Sequence, residues 1–292
     1  KQVVVGSGVR RSGKSTLLRQ FADRLDDFYY VNFDDERLNG FELSDFDNLM
    51  KMWQKNSTSN TILIDEIQNV PMWERFVRRM HDWEYKVFVT GSNSKLLASE
   101  FATHLTGRYF KIELYPFSFL EYLQFHKIPH TGVLVTEDVA KVLKYFDKYM
   151  EGGGIPEYVK SGDTEYLKRT YEDIVYKDII ARFGVREVDS FKKVTNYLFT
   201  NFTKQISYNG LSDILKIKSR MTTREFVGYL QESYLAFELL KYDYSLKKQY
   251  VSDKKIYVID NGMRNNVAFY FSGDEWRLME NLIFLELKRR NL

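Results

Sequence analysis

Residues 8–15 read Gly-Val-Arg-Arg-Ser-Gly-Lys-Ser, with a glycine at each end of a short polar loop and then a lysine and a hydroxyl. Those types at that spacing suit one task, the holding of a phosphate chain. Gly8 and Gly13 let backbone N–H groups turn inward, the Lys14 ammonium reaches β- and γ-phosphates, and the Ser15 hydroxyl can ligate Mg²⁺. Arg10, Arg11, Ser12 and Thr16 complete the set expected to line a nucleotide, although side chains at the positions of the two arginines often point outward and read slightly better as structural than as phosphate contacts.

Fifty residues on, the run Thr-Ile-Leu-Ile ends in Asp65-Glu66. An acid at the carboxyl end of a buried parallel strand stands at the rim where ligands bind. Asp65 is placed to share the Mg²⁺ shell with Ser15, and Glu66 to orient a water and take its proton. A small-molecule kinase has its own acceptor and must exclude water, so a dedicated water-activating Glu argues for hydrolysis. The run Lys-Val-Phe-Val from residue 86 ends in Thr90-Gly-Ser92-Asn93, polar groups expected to hydrogen-bond the γ-phosphate or the attacking water. Arg108 reads equally as a finger on a neighbouring subunit's nucleotide or in cis, or as a surface arginine at a strand start.

Such a constellation needs a sheet to hold it. Val3-Val4-Val5 before the loop reads as a buried strand, and Leu17, Leu18, Phe21 and Leu25 after it recur at helical spacing. The helix directs its positive dipole end at the phosphates. Between loop and acid pair lie a strand at "FYYVNFDD" and a helix at "DFDNLMKMWQK", as a doubly wound parallel sheet requires.

The bulk numbers are compatible with this. A chain of 292 residues with 44% hydrophobic and 28% charged residues is ordinary for a globular protein of two or more domains. No apolar run approaches the ~18 residues of a membrane span. Cysteine is absent, which removes disulfides and thiolate metal sites and suits a reducing, cytoplasmic compartment. His126 and His130 are four apart, but Pro129 between them argues against a shared helical face and a metal site. Net charge is +3 and uneven: residues 1–159 carry 20 Lys/Arg against 22 Asp/Glu, residues 160–292 carry 23 against 18. The second half is therefore the one expected to meet an anion.

The blocks "GVRRSGKSTLL", "ILIDEIQ", "VTGSNSKLL", "LTGRYFKIELYPFSFLEYL", "GGGIPEYV", "YLQESYLAFELLKYDYS", "KKIYVIDNGM" and "MENLIFLELKRRN" follow one another along the chain. In this order they resemble the AAA+-type P-loop ATPases of bacteria and archaea. More narrowly, they resemble a prokaryotic group in which the ATPase is followed by a helical lid, a winged helix and a restriction-nuclease-like domain. The resemblance implies an α/β fold with a parallel sheet of strand order 5-1-4-3-2, ATP as ligand, and roles for Lys14, Ser15, Asp65, Glu66 and the polar end of "VTGSN". Members usually carry a helix before the first strand and continue past "LELKRRN" to further carboxylates. Neither is found here, so a fragment is expected, and Glu280 and Glu286 read as fold residues.

The expected organisation is an ATPase core over 1–115, a helical lid over 116–160, a winged-helix domain over 161–250 and the start of a truncated nuclease-like domain over 251–292. The glycines at 152–154 read as a hinge or a linker. In the third region Leu211, Ile214 and Leu215 form an apolar stripe, and Thr222-x-x-Glu225 reads as a capping box opening a helix that turns Phe226, Tyr229 and Leu230 inward. That leaves Thr223 and Arg224 free, with Lys216, Lys218, Arg220 and Arg224 as a basic face toward DNA. "LAFELLKYDYS" and "KKIYVID" read as wing strands. Two readings follow: an ATPase whose winged helix touches DNA, as a monomer or a homo-oligomer, or a regulatory switch acting on a protein partner.

Overall fold

Strand alternation sets the layers of the first unit. The computed structural model describes residues 2–92, 107–268 and 273–292. The chain divides into two units, one of Lys1–Val9 and Gly13–Leu114, the other of Arg10–Ser12 and Tyr115–Leu292.

The first unit runs β1 (Val3–Gly8), α1 (Lys14–Ala22), β2 (Tyr29–Asn32), α2 (Asp45–Asn56), β3 (Thr61–Asp65), α3 (Trp73–Asp82), β4 (Lys86–Gly91) and β5 (Tyr109–Leu114). All pairings are parallel, in the order β2-β3-β4-β1-β5, which is the expected 5-1-4-3-2 read from the other edge. Val3, Val5, Ile62, Ile64, Val87 and Val89 share one buried cluster with Phe46 and Trp53 of α2 and Trp73 and Phe76 of α3. The Phe46 and Phe76 rings stack at 3.9 Å and lock those two helices together. Leu63 belongs instead to the cluster of Leu18 and Ala22 on α1. Side chains alternate along a strand, so Asp65 shares the face of Leu63, and Thr90 shares that of Phe88, which packs against the α1 cluster. The fold thereby aims both polar groups toward the α1 layer.

The second unit is helical up to residue 200, in helices Phe119–Phe125, Thr136–Gly152, Pro156–Ser161, Thr164–Asp173 and Val188–Thr200, with a π-helical stretch at Ile174–Ala181. Then follow β6 (Gln205–Ile206), helices Tyr208–Leu215 and Arg220–Glu232, β7 (Ala236–Leu240), a short helix Leu246–Val251 and β8 (Lys254–Val258). The strands form an antiparallel sheet ordered β6-β8-β7. Both segments expected as strands are strands. A boundary after residue 250 would cut between β7 and β8, which pair from Ala236↔Val258 to Leu240↔Lys254, so residues from 251 on begin inside this sheet. Helices Asn261–Val267 and Glu275–Arg289 close the unit. Asn281 clamps β8 through both backbone groups of Val258, and Arg264 and Arg277 share Asp274 while each guanidinium lies over the Phe202 ring, at 4.4 and 4.5 Å. Glu280 accepts from Tyr257 and Lys255, and Glu286 pairs with Arg289 and Arg290, which makes them fold residues as expected.

Four expectations are corrected here. The glycine run is neither hinge nor linker: a Cβ on Gly153 would fall onto the Asp260 carboxylate, one on Gly154 onto the Phe117 carbonyl, and Asp260 accepts the Gly154 N–H at 2.7 Å. The helix expected from Thr222 starts at Arg220, because Ser219 caps it by accepting from the Met221 N–H. Thr223 is therefore a full turn inside, buried, with its hydroxyl 2.8 Å from that of Ser212. Ile214 is exposed, and the buried positions beside Leu211 are Ser212 and Ile217.

Candidate nucleotide site

The loop between β1 and α1 owes its course to backbone angles. Gly13 sits at φ 98, a left-handed conformation, and an added Cβ there would meet no atom within 4 Å. Glycine is needed at this position for its torsion and not for space. Immediately after it, Lys14 is 4% exposed, with Nζ donating to the carbonyls of Gly8 at 3.2 Å and Val9 at 3.0 Å and lying 3.9 Å from Glu66 Oε1. Ser15 and Thr16 follow in the first turn of α1.

Asp65 is fully buried at the end of β3. Its Oδ1 accepts a hydrogen bond from the Thr90 hydroxyl, while Oδ2 is buried with no hydrogen-bond partner. The nearby Tyr30 phenol is pushed above its ordinary value by burial and then by the charge of Asp65. Ser12 Oγ is likewise buried without a partner. A buried carboxylate oxygen left unpaired is costly, and it is the kind of donor a hard divalent cation takes. The residues present therefore fit a Mg²⁺-nucleotide.

Glu66 adopts the left-handed region at φ 52, unusual for a side chain of its size. Its N–H donates to Thr90 Oγ1 at 3.3 Å, and its Oε2 accepts from Gln68 Nε2 at 2.5 Å. Gln68 Nε2 also lies 3.4 Å from Ser92 Oγ, and Gln68 Oε1 is buried without a partner. Thr90 thus ties both acids to the neighbouring strand, and Gln68 ties the second acid to the end of β4. Sequence reasoning passed over Gln68 and Tyr30. Gln68 carried a usable signal, since it lies two residues past the acid pair on the same turn.

The remaining candidates fall elsewhere. Arg10 belongs to the second unit, where Nε and Nη2 grip both oxygens of buried Asp178 at 2.8 and 2.9 Å. Arg11, at φ 68, places its guanidinium 5.8 Å over the Tyr166 ring of that unit. Arg10 is thereby committed to Asp178, which corrects its assignment to phosphate, whereas Arg11 is exposed. Arg108 is 57% exposed in its side chain and pairs with Asp82 at 3.1 Å. Its carbonyl accepts from the Val3 N–H, at the end of β1 opposite Gly8, so a role in cis is corrected: a strand's length separates it from the phosphate end. Asn93 lies outside the described residues. Lys216, Lys218, Arg220 and Arg224 are all exposed. Among the described residues no cluster of metal-ligating side chains is present, His126 and His130 included, and no helix is long and apolar enough to cross a membrane.

Comparison with known proteins adds a family to this geometry. Residues 1–123 match the family described as an AAA domain, and residues 143–273 match a domain of unknown function. An uncharacterized protein of Methanocaldococcus jannaschii is 37% identical over 97% of this chain and 66% of its own length. An uncharacterized protein of Haemophilus influenzae is 31% identical over 99% of this chain and 74% of its own. The chain thus spans about two thirds of the first relative and three quarters of the second. Among solved structures, the replication initiator DnaA bound to AMPPCP and single-stranded DNA aligns at TM-score 0.35 and 14% identity over 79% of this chain and 82% of that one. Cdc6p from Pyrobaculum aerophilum aligns at TM-score 0.32 and 10% identity over 97% and 88%. With its phosphate loop, its 5-1-4-3-2 sheet, the AAA domain match and the two sequence relatives, the chain belongs to the AAA+-type P-loop ATPase family.

Proposed function

We propose that this chain binds ATP and hydrolyses it, and that the nucleotide state governs a DNA-contacting winged-helix module in the second unit. The observation that carries the hydrolytic reading is the juxtaposition of Lys14 with Glu66, 3.9 Å apart, beside an Asp65 oxygen that has no partner. Ser15 and Asp65 would hold Mg²⁺, which when bound supplies charge neutralisation on the β- and γ-phosphates. Lys14 adds a second positive charge there once its ammonium exchanges the carbonyls of Gly8 and Val9 for phosphate oxygens. Glu66 takes the proton of a water attacking in line, and Gln68 holds the carboxylate in place.

The module reading draws on the order helix, β6, two helices, β7, β8, in which Arg220–Glu232 would be the helix offered to DNA and residues 241–253 the wing. Exposed Lys216, Lys218, Arg220 and Arg224 supply its positive face. Phosphate release measured with and without Mg²⁺, for the wild type and Glu66→Gln, tests the first half. Turnover that survives Glu66→Gln unchanged would remove that residue from the mechanism. A salt series of DNA binding with Lys216 and Arg220 neutralised tests the second half, since a cation that no longer meets its phosphate releases no counterion and the salt slope falls. Absence of binding to any DNA at low salt would leave a protein as the regulated partner.

A further inference from the structure

The connection between β7 and β8 is unusually rich in bare aromatic surface. Tyr242, Tyr244 and Tyr250 are 75%, 96% and 69% exposed, and the first two rings meet edge to face at 5.6 Å. Lys241, Lys247 and Lys248 interleave with them in sequence and are exposed as well. Tyr250 also lines a cleft of about 690 Å³ together with Arg220, Met221 and Arg224 of the helix Arg220–Glu232. Two carboxylates line the same cleft. Glu238 is engaged by the Tyr208 hydroxyl at 2.6 Å, and Asp253 is exposed. Lys254, beside Asp253, caps the short wing helix through the carbonyls of Tyr250 and Ser252.

An aromatic ring gains little from the sugar–phosphate exterior of a duplex, whose base faces are already stacked. Cations spaced among solvent-exposed rings are the composition that holds a strand with unpaired bases, the cations on phosphates and the rings on base faces. The cleft is large enough for a nucleotide, and both arginines and Tyr250 line it. An apolar protein partner would have to bury Lys241, Lys247 and Lys248 with the tyrosines, which costs desolvation of each ammonium.

We propose that the wing and the cleft beneath it bind single-stranded nucleic acid, stacking unpaired bases on Tyr242, Tyr244 and Tyr250 while Arg220 and Arg224 hold the adjoining phosphates. This rests on the nucleic-acid reading of the second unit and specifies the strand state it takes. The probe is a fluorescein-labelled dT 20-mer beside a 20-base-pair duplex, titrated by fluorescence anisotropy across a salt series with the full chain. The wild type is expected to favour the dT strand. Tyr250→Ala and the double variant Tyr242→Ala/Tyr244→Ala each weaken dT binding by about tenfold with the log–log salt slope unchanged, while duplex binding hardly moves. Arg220→Ala weakens binding to both probes and lowers the slope by about one. All of these side chains are exposed, and far-UV circular dichroism confirms that the variants fold. Tyrosine variants that bind dT as the wild type does overturn the inference, as does a preference for duplex. In either case an effect of Arg220→Ala keeps the broader DNA reading standing, whereas no binding to either probe at low salt removes both.

Discussion

Gln68 donates its amide to Glu66 Oε2 at 2.5 Å while the Lys14 ammonium stands 3.9 Å from Glu66 Oε1, so Gln68 fixes one oxygen of the carboxylate and the other lies beyond hydrogen-bond reach of Lys14. A general base must present one lone pair to water in a fixed direction, and a misplacement of about 1 Å can cost about a hundredfold in rate. Gln68→Ala is expected to lower kcat by about tenfold or more while leaving KM and fluorescent-ATP affinity near the wild-type values. Gln68→Asn, shorter by one methylene, recovers little. A Gln68→Ala enzyme with unchanged kcat would show that the turn after β3 orients Glu66 without it.

Lys14 and Asp65 divide the ligand between them, and their variants should fail differently. Lys14 is buried against two carbonyls, so Lys14→Ala removes the cation that meets the phosphates and should reduce ATP affinity more than about tenfold. Asp65→Asn keeps an acceptor for the Thr90 hydroxyl but loses the charge at the unpaired Oδ2. It should bind nucleotide with a much smaller Mg²⁺ effect and turn over at least about a hundredfold more slowly. Isothermal titration with and without Mg²⁺ separates the two. Equal Mg²⁺ enhancement in wild type and Asp65→Asn would place the cation elsewhere.

The site was more legible in the sequence than the second unit, for a physical reason. A phosphate loop is specified locally: Gly13 supplies the left-handed torsion, Lys14 follows it directly, and the run before Asp65 can only be a buried strand. Gln68 escaped notice because its role is a contact to Glu66 across a turn that only the φ 52 backbone of Glu66 creates. Arg10 misled because its partner, Asp178, lies more than 150 residues away in the chain. Arg108 was legible in part, since it stands at a strand start and every strand of a parallel sheet starts at the end away from the phosphate rim. The glycines at 152–154 signalled flexibility by composition, yet Gly153 and Gly154 are required by close approach of Asp260 and Phe117, which sequence spacing does not reveal.

Those glycines permit a controlled test. Gly153 and Gly162 share a φ of +72 but differ in ψ, −164 against 6, and a Cβ on Gly153 falls onto Asp260 whereas one on Gly162 meets nothing within 4 Å. Gly162→Ala therefore carries the torsional cost alone, about 1–2 kcal/mol. Gly153→Ala adds a steric collision with a buried carboxylate and a backbone region, at ψ −164, that only glycine readily occupies, and should cost at least about 2 kcal/mol more. Urea denaturation followed by fluorescence of the four tryptophans would measure both in the context of the whole chain. Equal losses at the two positions would mean that the turn can shift away from Asp260.

Asp260 itself should make stability depend on pH in the direction opposite to that of most carboxylates. It is buried beneath the turn it clamps, and burial lifts its pKa from 3.8 to about 6 against the backbone donors of Gly154, Met263, Gly262 and Ile155, which pull it down. Between those two values the folded chain binds a proton that the unfolded chain does not, so this group's contribution falls as pH rises from about 4 to about 6. A shift of that size corresponds to about 3 kcal/mol at most. Salt-bridged acids such as Asp274, whose carboxyl is held below its ordinary value by Arg277 and Arg264 although burial opposes them, act in the other direction and must be subtracted. The difference in unfolding free energy between wild type and Asp260→Asn isolates the effect. It is expected to move in favour of the wild type as pH is lowered from 7 to 4.5, and a difference that is flat across that window would mean that Asp260 titrates in the folded chain as it does in the unfolded one.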